Sequence, residues 1–403
     1  MVRPRLARLT AWARRPWPAR ADARWRLGPL RPDAFRSPLR SQRLTSQLGL
    51  WLGLALGVCF ATGLLSHLIQ HPPGWWFGWP SRPVGLYRVT QGVHVATGLA
   101  AVPLLGAKLW SVYPRLFAWP PARDLVHALD RLSVALLTGA ALFQVVSGVL
   151  NIARWYAPMP FFFTAAHYWT GWLAVGALLL HVAVQLPVVR RALAPPPPPA
   201  AGAAGLSRRG LLAAVGVAAG TVTLATAGQT VRPLSGVSVL APRRPDAGPQ
   251  RLPVNRSAAA AGVLDAAVDP AYRLVVVGPR GTVSLSRADL AGLPQHTAAL
   301  PIACVEGWSA DAVWTGVRVR DLLALVGLTG DAQVLVESFQ RGGRYRTSVL
   351  APPHVRDPRT LIALRLAGAP LHVDHGAPAR LIAPNRPGVL QTKWVGRLTG
   401  VAR

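Results

Sequence analysis

The chain has 403 residues, room for two folded units, and 51% of them are apolar; with a positive mean hydropathy this points to a membrane protein. A formal charge of +29 would suit nucleic acid or an anionic surface. Twelve arginines crowd into Met1–Arg43, however, and further basic groups flank apolar runs, which argues against a nucleic-acid partner.

In chain order, residues 1–43 are rich in Arg, Pro and Trp, lack apolar periodicity, and read as a basic cytoplasmic tail held near anionic lipid. Residues 44–190 contain four uncharged windows: Gln47–Ile69, Val89–Ala107, Leu132–Ala153 and Ala165–Val189. Each is close to the ~20 residues that cross a bilayer. A fifth window, Gly210–Val231, closes the segment 191–232. Basic groups precede the first window and fill the second-to-third and fourth-to-fifth loops. The positive-inside rule then puts the N-terminus in the cytoplasm and everything after the fifth window outside.

The fourth-to-fifth loop contains Pro195–Gly205, a semi-rigid spacer with five consecutive prolines. Ser207-Arg208-Arg209-Gly210 then opens a run of small apolar residues. Paired arginines before a weakly apolar segment look like a twin-arginine signal, an export route for folded domains loaded with cofactor; an ordinary helix with basic flanks reads equally well. Ala225-Thr226-Ala227 has a cleavable form, but cleavage would detach the C-terminal domain from its helices, and retention is the favoured reading.

A linker, 233–251, leads to residues 252–403. There the pattern changes to short β-rich runs (Arg273–Val277, Val283–Leu285, Val334–Val336) with Gly/Pro turns and one helical stretch, Val319–Val326. The expected fold is an all-α transmembrane four-helix bundle plus a fifth transmembrane helix, followed by an α+β domain of normal size.

Histidine is costly inside a bilayer, so each intramembrane histidine is a functional candidate. His94 lies near the outer end of the second window, His167 near the outer end of the fourth, and His181 deeper in the fourth. The last two are fourteen residues apart, about 21 Å of rise on one helix face, which suits two stacked haems. Bis-imidazole ligation leaves no open iron position and favours electron transfer. His94 with His167 forms the outer pair; His181 has no intramembrane histidine at its depth, so one b haem is expected and a second is open. These features resemble the prokaryotic cytochrome b family that serves formate dehydrogenases and hydrogenases, over Gln47–Val189, without that family's inner-end histidine on the first helix.

The two cysteines, Cys59 and Cys304, fall in different phases and do not pair. Cys304 is then a lone thiol in an oxidising compartment. It is either a soft donor to a high-valent metal or a buried inert residue. Its setting, Leu300-Pro301-Ile302-Ala303-Cys304-Val305-Glu306-Gly307-Trp308-Ser309, is followed far downstream by His372-Val373-Asp374-His375-Gly376-Ala377-Pro378-Ala379-Arg380, Ala383-Pro384-Asn385 and Lys393-Trp394. Together these segments resemble the sulfite oxidase family of molybdopterin enzymes, and within it the periplasmic protein-methionine-sulfoxide reductase branch. The resemblance implies that Cys304 supplies the protein sulfur to molybdenum. It also implies that Asn255, Glu306, His375, Arg380 and Lys393 are cofactor contacts. Arginine suits a pterin phosphate because it grips it in bidentate fashion, although surface placement is open for Arg380. The turn Arg341-Gly342-Gly343-Arg344 is a further candidate for oxyanions, or simply a solvated turn.

The sequence thus leads to a membrane-bound oxidoreductase using Mo-molybdopterin and b haem. It would reduce S- or N-oxides with electrons from a quinol or another membrane carrier, in a bacterial cell membrane. Two other readings stand: outward oxidation of a small, sulfite-like substrate, and a non-catalytic electron-relay cytochrome with a binding module. The chain stops soon after the Lys393-Trp394 segment, without the dimerisation domain of sulfite oxidases, so their dimer is not expected.

Overall fold

A computed structural model describes residues 37–76, 78–116, 122–194 and 206–401. Most of the basic tail and the proline spacer lie outside the described residues.

Five helices are long and apolar enough to cross a membrane: α1 (Gln42–Gln70), α2 (Leu86–Leu116), α3 (Leu125–Ala153), α4 (Phe163–Leu193) and α5 (Arg208–Ala227). Four of the five expected windows fall wholly on them, and the fifth falls on the last in part. The first four overrun their windows because helical geometry persists through the polar flanks. The fifth ends at Ala227, short of Val231. There the Ser238 hydroxyl takes the Gly228 N–H at 2.6 Å, and a 3-10 turn at Arg232–Leu234 redirects the chain. Asp124 caps α3 by accepting the His127 N–H at 2.8 Å, and Arg154 closes it in the left-handed conformation.

By its contacts the chain divides into two units: residues up to Ala61 with Ala96–Thr223, and Thr62–Val95 with Leu224–Arg403. In the first unit, Leu52, Ala101, Leu105 and Ala141 join α1, α2 and α3. Phe60 meets Trp172 of α4 edge-on at 5.0 Å, and Leu44 and Leu48 receive Val215 of α5. The outward faces keep Trp51, Leu54, Leu179 and Leu180 exposed. Such a surface is at home in lipid and not in water.

The second unit holds two five-stranded sheets. The first runs in the order β2 (Gly281–Leu285), β1 (Leu274–Gly278), β10 (Val395–Val401), β5 (Gln333–Ser338), β6 (Thr347–Leu350). Only β1 and β10 in it are parallel. The second is antiparallel, β3 (His296–Ala303), β4 (Ser309–Arg318), β7 (Leu361–Leu366), β8 (Ala369–Pro370), with β9 (Arg380–Ile382) also on β7. Alternation explains the first sheet: Leu274 and Val276, like Val334 and Val336, point into a core shared with the helix Val319–Leu325. The three expected β-runs and the expected helix all lie here. β3 and β4 lie outside the three named runs; Pro301 and many alanines weaken their β signature, yet Ala298, Leu300 and Ile302 alternate inward.

Candidate cofactor site

Cys304 follows the last residue of β3, in the five-residue loop that returns to β4. The Ala303–Ser309 pair frames this loop. It is held by Cys304 N–H donating to the Trp308 carbonyl at 2.9 Å and Gly307 N–H donating to the Cys304 carbonyl at 3.1 Å. Cys304 is 2% exposed. On its other side Ala303 bridges to Pro387, which brings the segment 383–392 against the end of β3.

A narrow cleft lies at this strand end. Asn255, Cys304, Arg380 and Lys393, four residues scattered over the C-terminal domain, all line it, with Leu252, Ile302 and Trp308 as apolar wall. Arg380 enters on β9, the strand that Leu381 and Ile382 pull into the core. Its guanidinium is buried, donates from Nη1 to the His375 carbonyl at 3.1 Å, and lies 5.3 Å above the Trp314 ring. Its Nε has no partner. Burial pulls this guanidinium down to about 9. Lys393 donates to the carbonyls of Asp374 at 2.7 Å and Arg256 at 2.9 Å. Burial first, and Arg380 second, hold its ammonium well below the ordinary lysine range.

Among the described residues, neither Arg380 nor Lys393 forms an ion pair with a carboxylate. A buried cation without counter-charge is costly, because carbonyl dipoles replace only part of its hydration. Two buried cations beside a thiol form a donor set for a bound anion that also presents a thiolate-binding metal. The phosphate and molybdenum of a molybdopterin fit these residues.

The other two expected contacts sit differently. Glu306 accepts the Trp308 indole N–H at 3.0 Å, so its carboxylate braces the loop. His375 is fully buried, its Nε2 is 2.6 Å from the Pro249 carbonyl, and burial drives its imidazole down to about 4. Neither lines the cleft; His375 acts on it through the carbonyl that receives Arg380. In the candidate oxyanion turn, Arg344 adjoins Tyr345, whose phenol is pushed up chiefly by burial and stands within electrostatic reach of Cys304.

Several residues here were not legible in the sequence. Arg386 is a third buried cation, pulled down to about 9 by burial; its Nη2 donates to the Val349 carbonyl at 2.7 Å and its Nη1 has no partner. Residues of the α1–α2 hairpin also reach the site. Tyr87 packs with Ile69 and Ala303, and its phenol pairs with the Ser66 hydroxyl at 3.1 Å. Asn385 accepts the Tyr87 N–H at 2.7 Å and donates to the Pro80 carbonyl at 2.7 Å, while Trp79 donates to its carbonyl at 2.9 Å. Nothing in the types Tyr, Asn and Trp at those spacings announces such contacts; the motif around Asn385 was the only signal.

Of the membrane histidines, His94 has its Nδ1 3.4 Å from the Thr62 hydroxyl, and its ring lies so close to α1 that a Cβ on Gly63 would come within 2.8 Å of it. His167 has its Nδ1 3.1 Å from the Ser147 hydroxyl. His181 lacks this arrangement: its Nδ1 is buried without a partner.

Residues 261–403 match the family model described as the oxidoreductase molybdopterin binding domain. Among curated relatives, mouse (Mus musculus) mitochondrial sulfite oxidase is 32% identical over 161 residues, 33% of this chain and 30% of that protein. The protein-methionine-sulfoxide reductase catalytic subunit MsrP of Xanthomonas axonopodis pv. citri is 33% identical over 127 residues, 28% of this chain and 39% of that protein. The putative protein-methionine-sulfoxide reductase subunit YedZ1 of Azospira oryzae is 33% identical over 110 residues, 27% and 41% of the two chains. The chain therefore spans less than half the length of these relatives. Residues 261–403 thus carry a molybdopterin-binding oxidoreductase domain.

Proposed function

We propose that this protein is a membrane-bound molybdopterin oxidoreductase that removes an oxygen atom from an S-oxide or N-oxide outside the cell membrane. The observation that carries this reading is the convergence of Cys304, Asn255, Arg380 and Lys393 on one cleft, where the buried Arg380 guanidinium and Lys393 ammonium donate to backbone carbonyls rather than to a carboxylate. Cys304 would supply a sulfur to molybdenum, with Arg380 and Lys393 gripping the pterin phosphate. Bound there, the cofactor supplies two-electron oxygen-atom transfer. The residues' own part is to fix it, exclude water and hold the thiolate at the end of β3. Sulfoxides are favoured because two relatives are named as subunits of a protein-methionine-sulfoxide reductase.

Electrons would come from a membrane quinol through b haem, with His94 and His167 as iron ligands, each oriented by a hydroxyl at Nδ1. A second haem would take His181, on the same face of α4 as His167. Alternating basic loops support an N-terminus in the cytoplasm and an outer C-terminal domain, and Arg208-Arg209 at the head of α5 suits twin-arginine export of a preloaded domain.

A substrate screen on the purified full-length chain tests the reaction, using reduced dyes as donors and oxidised dyes as acceptors. Turnover of sulfoxides or N-oxides with reduced dye is the expected result. Turnover only of sulfite-like reductants with oxidised dye would reverse the direction, and absence of molybdenum would remove the enzyme. Difference spectra after His94→Ala and His181→Ala separately count the haems; the first change is expected to abolish the outer b-type signal.

A further inference from the structure

The loop that presents Cys304 is fastened by the outer turns of α2 and the residues just after α5, all within one unit of the fold. Gln91 of α2 donates from Nε2 to the Val305 carbonyl at 2.9 Å. The Gln229 carbonyl takes the Ser309 N–H at 2.9 Å, and the Thr230 hydroxyl donates to the Gly307 carbonyl. Gly307 has φ +93°, and a Cβ there would lie 2.6 Å from Val95. Only glycine allows the loop to press this closely on the helix.

Gln91 is unusual among these fasteners. It is 6% exposed, and its Oε1 is buried with no partner, so the amide is retained in the interior for the single bond to Val305. It stands three residues before His94, on the same helix face. From Cys304 the covalent route runs one residue to Val305, across one hydrogen bond to Gln91, and along one helical turn to His94.

We propose that Gln91 is the positioning residue that couples the Cys304 loop to the haem-bearing turn of α2, so that electrons cross between the two centres through its bond to Val305. This rests on the proposed function, with His94 as a haem ligand and Cys304 as a molybdenum ligand. Each sulfoxide reduced takes two electrons and two protons. The S–O bond breaks, the oxygen leaves as water, and a quinol is oxidised to quinone with release of two protons. The electrons cross one at a time.

The test uses the full-length holoprotein in detergent. Flash photoreduction by a flavin delivers one electron to the haem, and its absorbance band follows departure toward molybdenum, with the Mo(V) paramagnetic signal as second readout. Gln91→Met keeps size and removes the donor. It is expected to slow this transfer by about tenfold or more, with haem content and haem midpoint potential as in the wild type. If Gln91→Met does not retain haem, Gln91→Glu, which puts an acceptor where the donor was, is expected to show the same slowing. An unchanged rate in a haem-replete variant overturns the proposal and leaves the packed Val95–Gly307 contact as the crossing point. A wild-type protein without a b-type spectrum, or one whose spectrum survives His94→Ala, overturns the haem reading first and this inference with it.

Discussion

The long apolar helices and the candidate cofactor cleft both bury polar groups, but they complete them differently. On α2 and α4, His94 and His167 each meet a hydroxyl at one ring nitrogen. In the cleft, Arg380 and Lys393 donate to backbone carbonyls and lie over the Trp314 and Trp394 rings; neither is ion-paired with a carboxylate among the described residues, and Asp374 acts on Lys393 only electrostatically. At the edge of the same domain, arginines are paired in the ordinary way, Arg82 with Asp357 at 3.2 Å and Arg88 with Asp311 at 2.7 Å. The difference separates the two places: ring nitrogens met by neutral hydroxyls on the helices, and buried cations held by carbonyls in the cleft, a setting that suits an anion.

The largest effect that would sharpen this comparison is at the thiol. Cys304→Ser is expected to cut substrate turnover by about 10³-fold, beyond the 10–100-fold typical of a residue that only supports a metal ligand, measured with dye donors that act directly on the outer domain. A loss below tenfold would make Cys304 a packing residue.

Arg380→Met separates binding from folding. Loss of charge-assisted bonds is expected to weaken cofactor retention by about 10–100-fold, read as molybdenum and pterin content after dialysis. The cofactor-free variant is expected to melt at or above the temperature of the cofactor-free wild type, since an uncompensated buried charge is gone. Lower melting of the cofactor-free variant would show that Arg380 is a structural cation.

Acid tests the buried His375. Its folded value, about 4 against 6.5 unfolded, means that the unfolded chain binds a proton first as pH falls. Stability is therefore full above pH 6.5, declines between about 6.5 and 4, and levels off below. The expected loss is up to roughly 2 kcal/mol after discounting for partial hydration. Thermal melting across that window checks it, and His375→Gln should flatten the curve. A slope unchanged by that substitution would assign the loss elsewhere, His354 being the other buried histidine, pulled down to about 3 by burial.

The smallest effect is on α3. Ser147→Ala removes the hydroxyl at His167 Nδ1 and is expected to weaken haem retention by at most about tenfold, with a shifted midpoint potential. No change in either would mean that His167 is held by packing alone.

Much of this was legible in the sequence because the signals are local. Uncharged windows near twenty residues marked all five membrane helices, and the segments around Cys304 and Arg380 named the two sides of the cleft. What was not legible is long-range. Tyr87 and Gln91 reach Ala303 and Val305 across more than two hundred residues of chain, the first by apolar packing and the second through a backbone carbonyl, and neither contact carries a sequence signature. Glu306 and His375 show the converse, since motif membership marked them but the fold uses them to brace the loop and Arg380. Arg386 escaped notice because one arginine in an arginine-rich chain says nothing until its burial is seen.

The central claim is that Cys304 gives its sulfur to a molybdenum held in this cleft. X-ray absorption at the molybdenum edge, on purified wild-type and Cys304→Ser proteins, tests it most directly. The account expects molybdenum in the wild type, with one fewer sulfur neighbour in the variant. An equal sulfur count in both, or a wild-type protein without molybdenum, would contradict it.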